Sequence, residues 1–204
     1  VSGFAPSQRL RSDVQVFGAP VEYEITLEPS RLALLPLLEM TPDRADAAPE
    51  IEGYQASLRN DAQWQLDRPA SERLRTHVKA WTSYRHGPRN DQLALRDLVE
   101  LPPGFNPRSL QWALSLRNRP ENLQAEPRRL ADLLLAHVRA QDYSYTLEPG
   151  SYGRNAIDEF WFDRRLGFCE HFAAAFVVMM RAMDVPARIV TGYQGGDPVP
   201  VDGY

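Results

Sequence analysis

The stretch that decides the fold of the second half of this chain is LGFCEHFA, Leu166–Ala173. It places the single cysteine, Cys169, at the start of a run of apolar residues with helical spacing. The apolar positions of this run are Phe172, Ala173, Phe176, Met180 and Met183. Their spacing predicts an amphipathic helix over 169–184. We expect Val185-Pro186 to stop this helix, because a residue that precedes proline is pushed out of the helical region.

The position of Cys169 suits a nucleophile. A helix N-terminus stabilises a thiolate through unpaired backbone N–H groups and the positive end of the helix dipole. Gly167 is expected to let the backbone turn tightly and to let a substrate approach the sulfur. The backbone N–H of Cys169 is a natural oxyanion donor for acyl transfer. The competing interpretation is that Cys169 is a small buried hydrophobic residue.

His171 is an unsuitable base for this cysteine. Residues two apart on a helix lie about 200° apart around its axis, so we expect the imidazole to face away from the sulfur. His171 and Glu170 are instead expected to shape the helix start or the rim of the site. The other three histidines, His77, His86 and His137, are interpreted as surface or packing residues, and the base must come from elsewhere in the sequence.

Helical spacing also extends upstream of the cysteine. From Pro127, Leu130, Leu133, Leu134 and Val138 recur at helical intervals, and proline suits a first helical position. A shorter helix is predicted over 109–116, and strand character over Arg188–Tyr193. The run Leu101-Pro102-Pro103-Gly104 is the best linker candidate, since these residues interrupt regular structure.

The first hundred residues have the pattern of strands. Apolar and polar residues alternate over 21–28 and again over 73–80, which predicts strands with one solvated face. Residues 54–58 and 64–66 predict a hairpin with Asn60-Asp61 at its tip, and the Pro-, Asp- and Ala-rich segment 41–49 predicts a loop. We therefore assign 1–100 to an antiparallel β module and 105–204 to a second domain.

Composition excludes several classes of protein. The chain has 27 acidic and 23 basic residues, so it lacks the basic excess expected of a nucleic-acid-binding protein. No window approaches 18 uninterrupted apolar residues, so no membrane span is predicted. A single cysteine excludes an intrachain disulfide. The acids Asp158, Glu159 and Asp163 lack calcium-loop spacing, so no metal site is predicted.

Three segments together resemble the core of the transglutaminase-like superfamily. They are GFCEHFA at 167–173, RAMDVPAR at 181–188, and Gly192-Tyr193. The resemblance runs from about Phe105 to the end of the chain and is strongest to the bacterial membrane-anchored subgroup. It implies an α+β chain, with the antiparallel β module followed by an incomplete papain-like core. It also implies the periplasmic domain of a bacterial inner-membrane protein, anchored through segments outside this chain.

The resemblance also implies a reaction. Such enzymes use a cysteine, histidine and aspartate triad, in which the thiolate attacks a glutamine side-chain amide and ammonia leaves. An amine or water then resolves the thioester, and no cofactor is needed. Cys169 takes the nucleophile role, and the partners are a protein with an exposed glutamine and an amine donor. No histidine follows His171, so the triad histidine and aspartate are expected beyond Tyr204, and this stretch alone is expected to be inactive.

Other assignments stay open at this stage. Tyr145, Tyr152 and Trp161 are weak candidates for substrate binding or for an oxyanion contact, against an interpretation as aromatic packing. The function implied is that of a protein-glutamine γ-glutamyltransferase. The alternatives are a cysteine amidase or protease of the same superfamily, or a non-catalytic binding module of the cell envelope.

Overall fold

The computed structural model describes residues 14–59, 62–87 and 95–192. The chain divides into two compact units, one formed by Val1–Ala94 with Thr191–Tyr204 and the other by Leu95–Val190. The run Leu101–Gly104 lies within the second unit. The domain boundaries assigned from the sequence stay a prediction.

Seven strands make up the regular structure described in the first unit. They are β1 (Val14–Phe17), β2 (Val21–Leu27), β3 (Leu34–Leu35), β4 (Ala56–Leu58), β5 (Trp64–Leu66), β6 (Leu74–Ala80) and β7 (Ser83–His86). All their pairings are antiparallel: β1 with β7, β2 with β6, and β5 between β3 and β4. The predicted hairpin is therefore present as β4 and β5, and its tip at Asn60-Asp61 lies outside the described residues.

The β2–β6 ladder explains the alternation seen in the sequence. Val21 lies opposite Ala80 and Tyr23 opposite Val78, so apolar residues share one face. On the other face Lys79 Nζ is 3.0 Å from Glu22, and His77 Nε2 is 2.9 Å from Glu24. The side chains of β6 alternate between buried and exposed along most of the strand, so this ladder has one solvated face, as predicted. The core of this unit comprises Leu35, Trp64, Leu66, Ala70 and Leu74.

The predicted loop over 41–49 has no regular structure but is tightly packed. Thr41 and Ala47 are each only 3% exposed. The Thr41 carbonyl accepts a hydrogen bond from the Trp64 indole at 2.9 Å. At the entrance to the loop, Met40 and Trp81 exchange two backbone hydrogen bonds, of 2.9 and 2.8 Å. The loop is thus tied to β5 through Trp64, and the backbone N–H groups of Ala47 and Ala48 donate within the loop, to the Arg44 carbonyl.

The second unit contains helices and one short parallel strand pair. Its elements are α1 (Pro107–Arg117), α2 (Pro127–Ala140), β8 (Ser144–Tyr145), α3 (Ala156–Asp158), a π-helix (Glu159–Arg164), β9 (Leu166–Gly167) and α4 (Cys169–Ala182). Short 3₁₀ turns cover Arg96–Leu98 and Pro120–Asn122. The helices predicted from Pro127 and Cys169, and the shorter one over 109–116, are all present. The α+β class is confirmed.

The core of the second unit forms where α1 and α2 pack against α4. Its most deeply buried side chains are Ala113, Leu130, Leu134, Phe160, Trp161, Ala175, Met179 and Met183, each at most 1% exposed. Leu130 and Leu134, both predicted from the spacing of α2, are fully buried. The core thereby fixes the position of α4, the helix that begins at Cys169.

Two features of the α4 region differ from the sequence-based prediction. The helix ends at Ala182, two residues before the predicted end at 184. It ends there because the chain turns through Asp184, which has a left-handed conformation with φ of 60°. The strand predicted over Arg188–Tyr193 is wrong for 188–192, which have no regular structure, and Tyr193 lies outside the described residues. Ile189 and Val190 are 47% and 67% exposed, so their apolar character does not reflect burial in a sheet.

Candidate active site

Cys169 is the first residue of α4, and its side chain is exposed. The first turn of a helix has no intrahelical acceptors for its N–H groups. The N–H of His171 donates to the Phe168 carbonyl at 2.9 Å. The N–H groups of Cys169 and Glu170, at the first two positions of the helix, have no acceptor within the helix. A thiol with two backbone donors at the positive end of a helix dipole can stabilise negative charge on itself and on a bound oxyanion.

Gly167 is required by close packing and not by an unusual turn. It lies in β9 and is buried, and its φ is outside the left-handed region. A Cβ at this position would be 2.7 Å from the His171 Cβ and 3.0 Å from Phe160 Cε2. The expectation that Gly167 serves a tight turn is therefore wrong. The glycine lets the strand that leads to Cys169 lie directly against α4.

His171 shapes the start of α4, as its spacing from Cys169 predicts. Its Nδ1 accepts a hydrogen bond from the Phe168 N–H at 3.4 Å, which satisfies the backbone just before the helix. Its ring lies 4.5 Å from that of Phe168 and 5.0 Å from that of Tyr152. A depression of about 260 Å³ lies beside this helix start, and Tyr152, Phe160, Glu170 and His171 are among its lining residues.

Tyr145 and Tyr152 both lie near the segment that carries Cys169. Tyr145 pairs in register with Gly167, is 65% exposed, and stacks on Phe172 with ring centroids 6.4 Å apart. The Tyr152 hydroxyl donates to the Leu166 carbonyl. Burial raises the pKa of Tyr152, so this hydroxyl stays protonated as a donor at neutral pH. The two tyrosines thus contact β9 and α4, the elements on either side of Phe168.

Trp161 lies in the core, and the half-buried His137 packs against it. Trp161 is 1% exposed, and its ring stacks on His137 at 5.0 Å. Trp112 packs 4.9 Å from the same imidazole. Burial, together with the charge of Arg165, lowers the pKa of His137. The third aromatic candidate thus belongs to a packed cluster, and His137 is a packing residue, as interpreted from the sequence.

The acidic residues considered as cation ligands have protein partners. Asp158 is 3% exposed and accepts the backbone N–H groups of Arg108 and Ser109 at 3.1 and 2.7 Å. Glu159 accepts the Gly153 N–H, and Asp163 forms a two-bond ion pair with Arg108. Within the described ranges, no group of three or more acidic, histidine or cysteine side chains is arranged to hold a metal ion. In the same ranges, no helix combines the length and apolar composition needed to cross a membrane.

Sequence reasoning missed the elements that position this region. A π-helix over Glu159–Arg164 directly precedes β9, closed by a hydrogen bond of 3.1 Å from the Arg165 N–H to the Phe160 carbonyl. Asp158 caps α1 from a distant part of the sequence, while Asn106 Oδ1 accepts the Ile157 N–H at 3.1 Å. The local sequence signal for this helix start is Asn106 followed by Pro107, because asparagine is favoured just before a helix and proline at its first position.

Comparisons with known proteins show which superfamily the chain resembles. Residues 111–203 match the model of the transglutaminase-like superfamily. A protein-glutamine gamma-glutamyltransferase of Pseudomonas aeruginosa is 32% identical over 92% of this chain. The uncharacterized protein YebA of Bacillus subtilis is 28% identical over 48% of it. The chain spans 26% and 13% of the lengths of these two relatives.

Two crystal structures of the periplasmic domain of Pseudomonas aeruginosa TgpA resemble this fold. The one bound to ethylmercury has a TM-score of 0.79 and 30% identity, and covers 93% of this chain. The other has a TM-score of 0.80 and 29% identity, and covers 98%. This chain spans 64% and 65% of those two chains. In its sequence motifs, in the cysteine at the helix start and in its fold, the chain thus resembles the transglutaminase-like superfamily.

Proposed function

We propose that the full-length protein is a protein-glutamine γ-glutamyltransferase whose nucleophile is Cys169. The observation that carries this proposal is the exposed cysteine at the first position of α4, where the backbone N–H groups have no acceptor within the helix. The similarity to the Pseudomonas gamma-glutamyltransferase supports the same kind of activity. The histidine and aspartate of the triad are proposed to lie outside this chain, so residues 1–204 alone are expected to be inactive.

The proposed reaction has two steps. The Cys169 thiolate attacks the side-chain carbonyl carbon of a glutamine, the C–N bond breaks, and the nitrogen leaves as ammonia after taking a proton from the base. The negative oxygen of the tetrahedral intermediate accepts hydrogen bonds from the Cys169 and Glu170 N–H groups. In the second step an amine attacks the thioester and the C–S bond breaks. The amine proton returns to the base, and the thiolate is regenerated.

The surroundings of Cys169 support this chemistry by holding its backbone in place. The Thr146 N–H donates to the Gly167 carbonyl at 2.8 Å, and the Phe168 N–H donates to His171. Both contacts restrain the residues just before the cysteine. An oxyanion donor that is already oriented costs no reorganisation during the reaction.

We propose a periplasmic location and a membrane anchor outside this chain, because the solved relatives are periplasmic domains of TgpA. The substrates proposed are a protein with an exposed glutamine and an amine. The second candidate function is amide hydrolysis, in which water instead of an amine attacks the same thioester, since Cys169 is exposed to solvent.

The test is amine incorporation by the full-length protein. A fluorescent primary amine and a glutamine-containing protein are incubated with wild type, Cys169→Ala, and Ser83→Ala as a control in the other unit. We expect incorporation by wild type and by Ser83→Ala, and none by Cys169→Ala. Release of ammonia without amine incorporation would show that the protein is a hydrolase and not a transferase. If wild type neither releases ammonia nor incorporates amine, although its Cys169 still binds ethylmercury, the result would favour a non-catalytic binding module.

A further inference from the structure

Phe160 packs against the first turn of α4. Its side chain is only 1% exposed. The ring lies so close to Gly167 that a Cβ there would be 3.0 Å from Phe160 Cε2. The same ring lies 6.0 Å from the ring of His171 and meets that of Phe172 edge to face at 5.0 Å. Phe160 therefore packs against the chain two residues before Cys169, and again two and three residues after it.

These contacts lie on both sides of the turn that carries the sulfur. Phe172 follows Cys169 by three residues, so the two residues share a face of α4. Gly167 ends β9, and Phe168 is the single residue between that glycine and Cys169. Close-packed interiors transmit small displacements from one side chain to the next. A rigid ring packed against both Gly167 and Phe172 therefore limits how far the backbone at Cys169 can shift.

The π-helix over Glu159–Arg164 carries Phe160 to this position. Its closing hydrogen bond joins the Arg165 N–H to the Phe160 carbonyl. Helical turns of this kind are rare and often lie at functional sites. Arg165 has a left-handed φ of 55° and is the only residue between the π-helix and β9. The ring and the strand that it supports thus belong to one continuous stretch of backbone.

We propose that Phe160 is a positioning residue for the reaction, whose ring sets the place of the Cys169 sulfur and of the first backbone N–H groups of α4. This inference rests on the proposed function. Phe160 acts through Gly167 and Phe172 and not by contact with the substrate. A misplacement of about 1 Å at reacting atoms can cost about a hundredfold in rate. The role therefore concerns the rate of the chemical step and not the affinity for substrate.

The first test compares two buried substitutions in the full-length protein. Phe160→Leu removes the flat ring, and Leu130→Val removes buried volume from α2 in the same core. Both should lower the melting temperature. At a temperature where both variants are folded, we expect kcat for amine incorporation to fall about tenfold or more in Phe160→Leu, with KM nearly unchanged. Leu130→Val should keep the wild-type kcat.

A second variant covers the case in which Phe160→Leu does not fold. Phe160→Met keeps more of the side-chain volume but replaces the rigid ring with a flexible chain. It should show the same fall in kcat with little change in KM.

The second test does not depend on turnover. Alkylation of Cys169 by iodoacetamide at a fixed pH is followed by mass spectrometry of the fragment that contains it. The thiolate is the reacting form, and backbone N–H groups at a helix start stabilise it. We expect alkylation to be severalfold slower in Phe160→Leu and unchanged in Leu130→Val.

The third test examines the contact with Gly167. The methyl group added by Gly167→Ala would press on the ring, so this change should also lower kcat. Phe160→Leu leaves more room for that methyl group. The double variant should therefore lose less than the product of the two single losses, because the effects of residues in contact are not additive.

Four results would overturn the inference. Equal losses of kcat in Phe160→Leu and Leu130→Val would assign Phe160 to core packing alone. A rise in KM with unchanged kcat would assign it to substrate binding. Multiplicative losses in the double variant would exclude action through Gly167. Wild-type kcat and alkylation in Phe160→Leu, while amine incorporation continues, would leave the transferase intact without a positioning role.

Failure of the proposed function gives a different result. If alkylation slows in Phe160→Leu but not in Leu130→Val, and wild type incorporates no amine, the positioning role of Phe160 holds and the transferase assignment fails.

Discussion

Gly167 and Cys169 lie two residues apart, and the structure confirms the predicted position of Cys169 at a helix start but not the predicted reason for Gly167. The position of Cys169 at a helix start was predictable because helical spacing is a local property of the sequence. The reason for a glycine at position 167 was not predictable, because it depends on contact with Phe160. Phe160 reaches Gly167 only because the π-helix turns the chain. Local patterns predict where a helix begins, whereas close approaches between elements depend on tertiary structure.

Replacing Gly167 by alanine should destabilise the protein. The added Cβ would meet the His171 Cβ at 2.7 Å and a Phe160 ring carbon at 3.0 Å. Both are held within packed groups, so we expect a loss of about 1–3 kcal/mol in the free energy of unfolding. Urea denaturation measures this loss. As a control, Gly192→Ala adds a methyl group where nothing lies within 4 Å, and should change stability by less than about 0.5 kcal/mol. Equal stability of the two variants would refute the packing explanation.

Single elements differ in how far the sequence determines them. β2 and β6 were predictable because their alternation matches a sheet with one buried face. The strand expected over Arg188–Tyr193 is absent over 188–192, because apolar residues form a strand only with a partner, and none pairs with them in the described ranges. The π-helix gave no local signal. Its closing hydrogen bond spans five residues and accompanies burial of Phe160 and Trp161.

The end of α4 is set by a left-handed residue. The Val185 N–H donates to the Met180 carbonyl at 3.0 Å and the Asp184 N–H to the Arg181 carbonyl at 2.9 Å, which is the pattern of a Schellman motif. Asp184 occupies the position where glycine is preferred, with φ of 60°. Pro186 follows only after this turn, so the proline does not itself end the helix.

Asp184→Gly should therefore stabilise the protein. Glycine adopts the left-handed conformation without steric cost, so we expect a gain of about 0.5–1 kcal/mol in the free energy of unfolding. Asp132→Gly is the matched control, since Asp132 is exposed in the middle of α2, where glycine should be a few tenths of a kcal/mol less stable than aspartate. Denaturation midpoints should move in opposite directions. A loss of stability in both variants would contradict the assigned cap.

At the scale of the whole molecule, the sequence has a strand pattern in its first half and a helical pattern in its second. The structure has two compact units. The first unit is formed by strands, and the second packs its helices around α4. The aromatic cluster of Trp112, His137, Tyr143 and Trp161 was not predictable, because its members come from four separate segments. Burial raises the pKa of Tyr143 to about 12, and its hydroxyl donates to the Trp161 carbonyl at 2.8 Å.

His137 should make the stability of the protein decrease in mild acid. Burial and the charge of Arg165 lower its pKa in the folded state, so the unfolded chain takes up a proton that the folded protein resists. Stability is therefore fully present above the unfolded pKa of about 6.5 and is lost as pH falls towards the folded pKa. His137→Phe keeps an aromatic ring and should remove this component from the melting temperature measured between about pH 7.5 and pH 5.

Arg165→Gln provides the second variant for this prediction. Removing the nearby positive charge should allow His137 to bind a proton more readily, so the acid-induced loss should become smaller without disappearing. An unchanged slope of melting temperature against pH in His137→Phe would show that another group is responsible.

The most direct measurement of the central claim is mass spectrometry of the acyl-enzyme. The full-length protein is mixed with a glutamine peptide in the absence of amine, quenched in acid and digested. We predict that the fragment containing Cys169 carries the peptide less one ammonia, and that hydroxylamine removes the adduct, because it cleaves thioesters. Absence of any adduct during turnover, or an adduct on a residue other than Cys169, would contradict the assignment of Cys169 as the nucleophile.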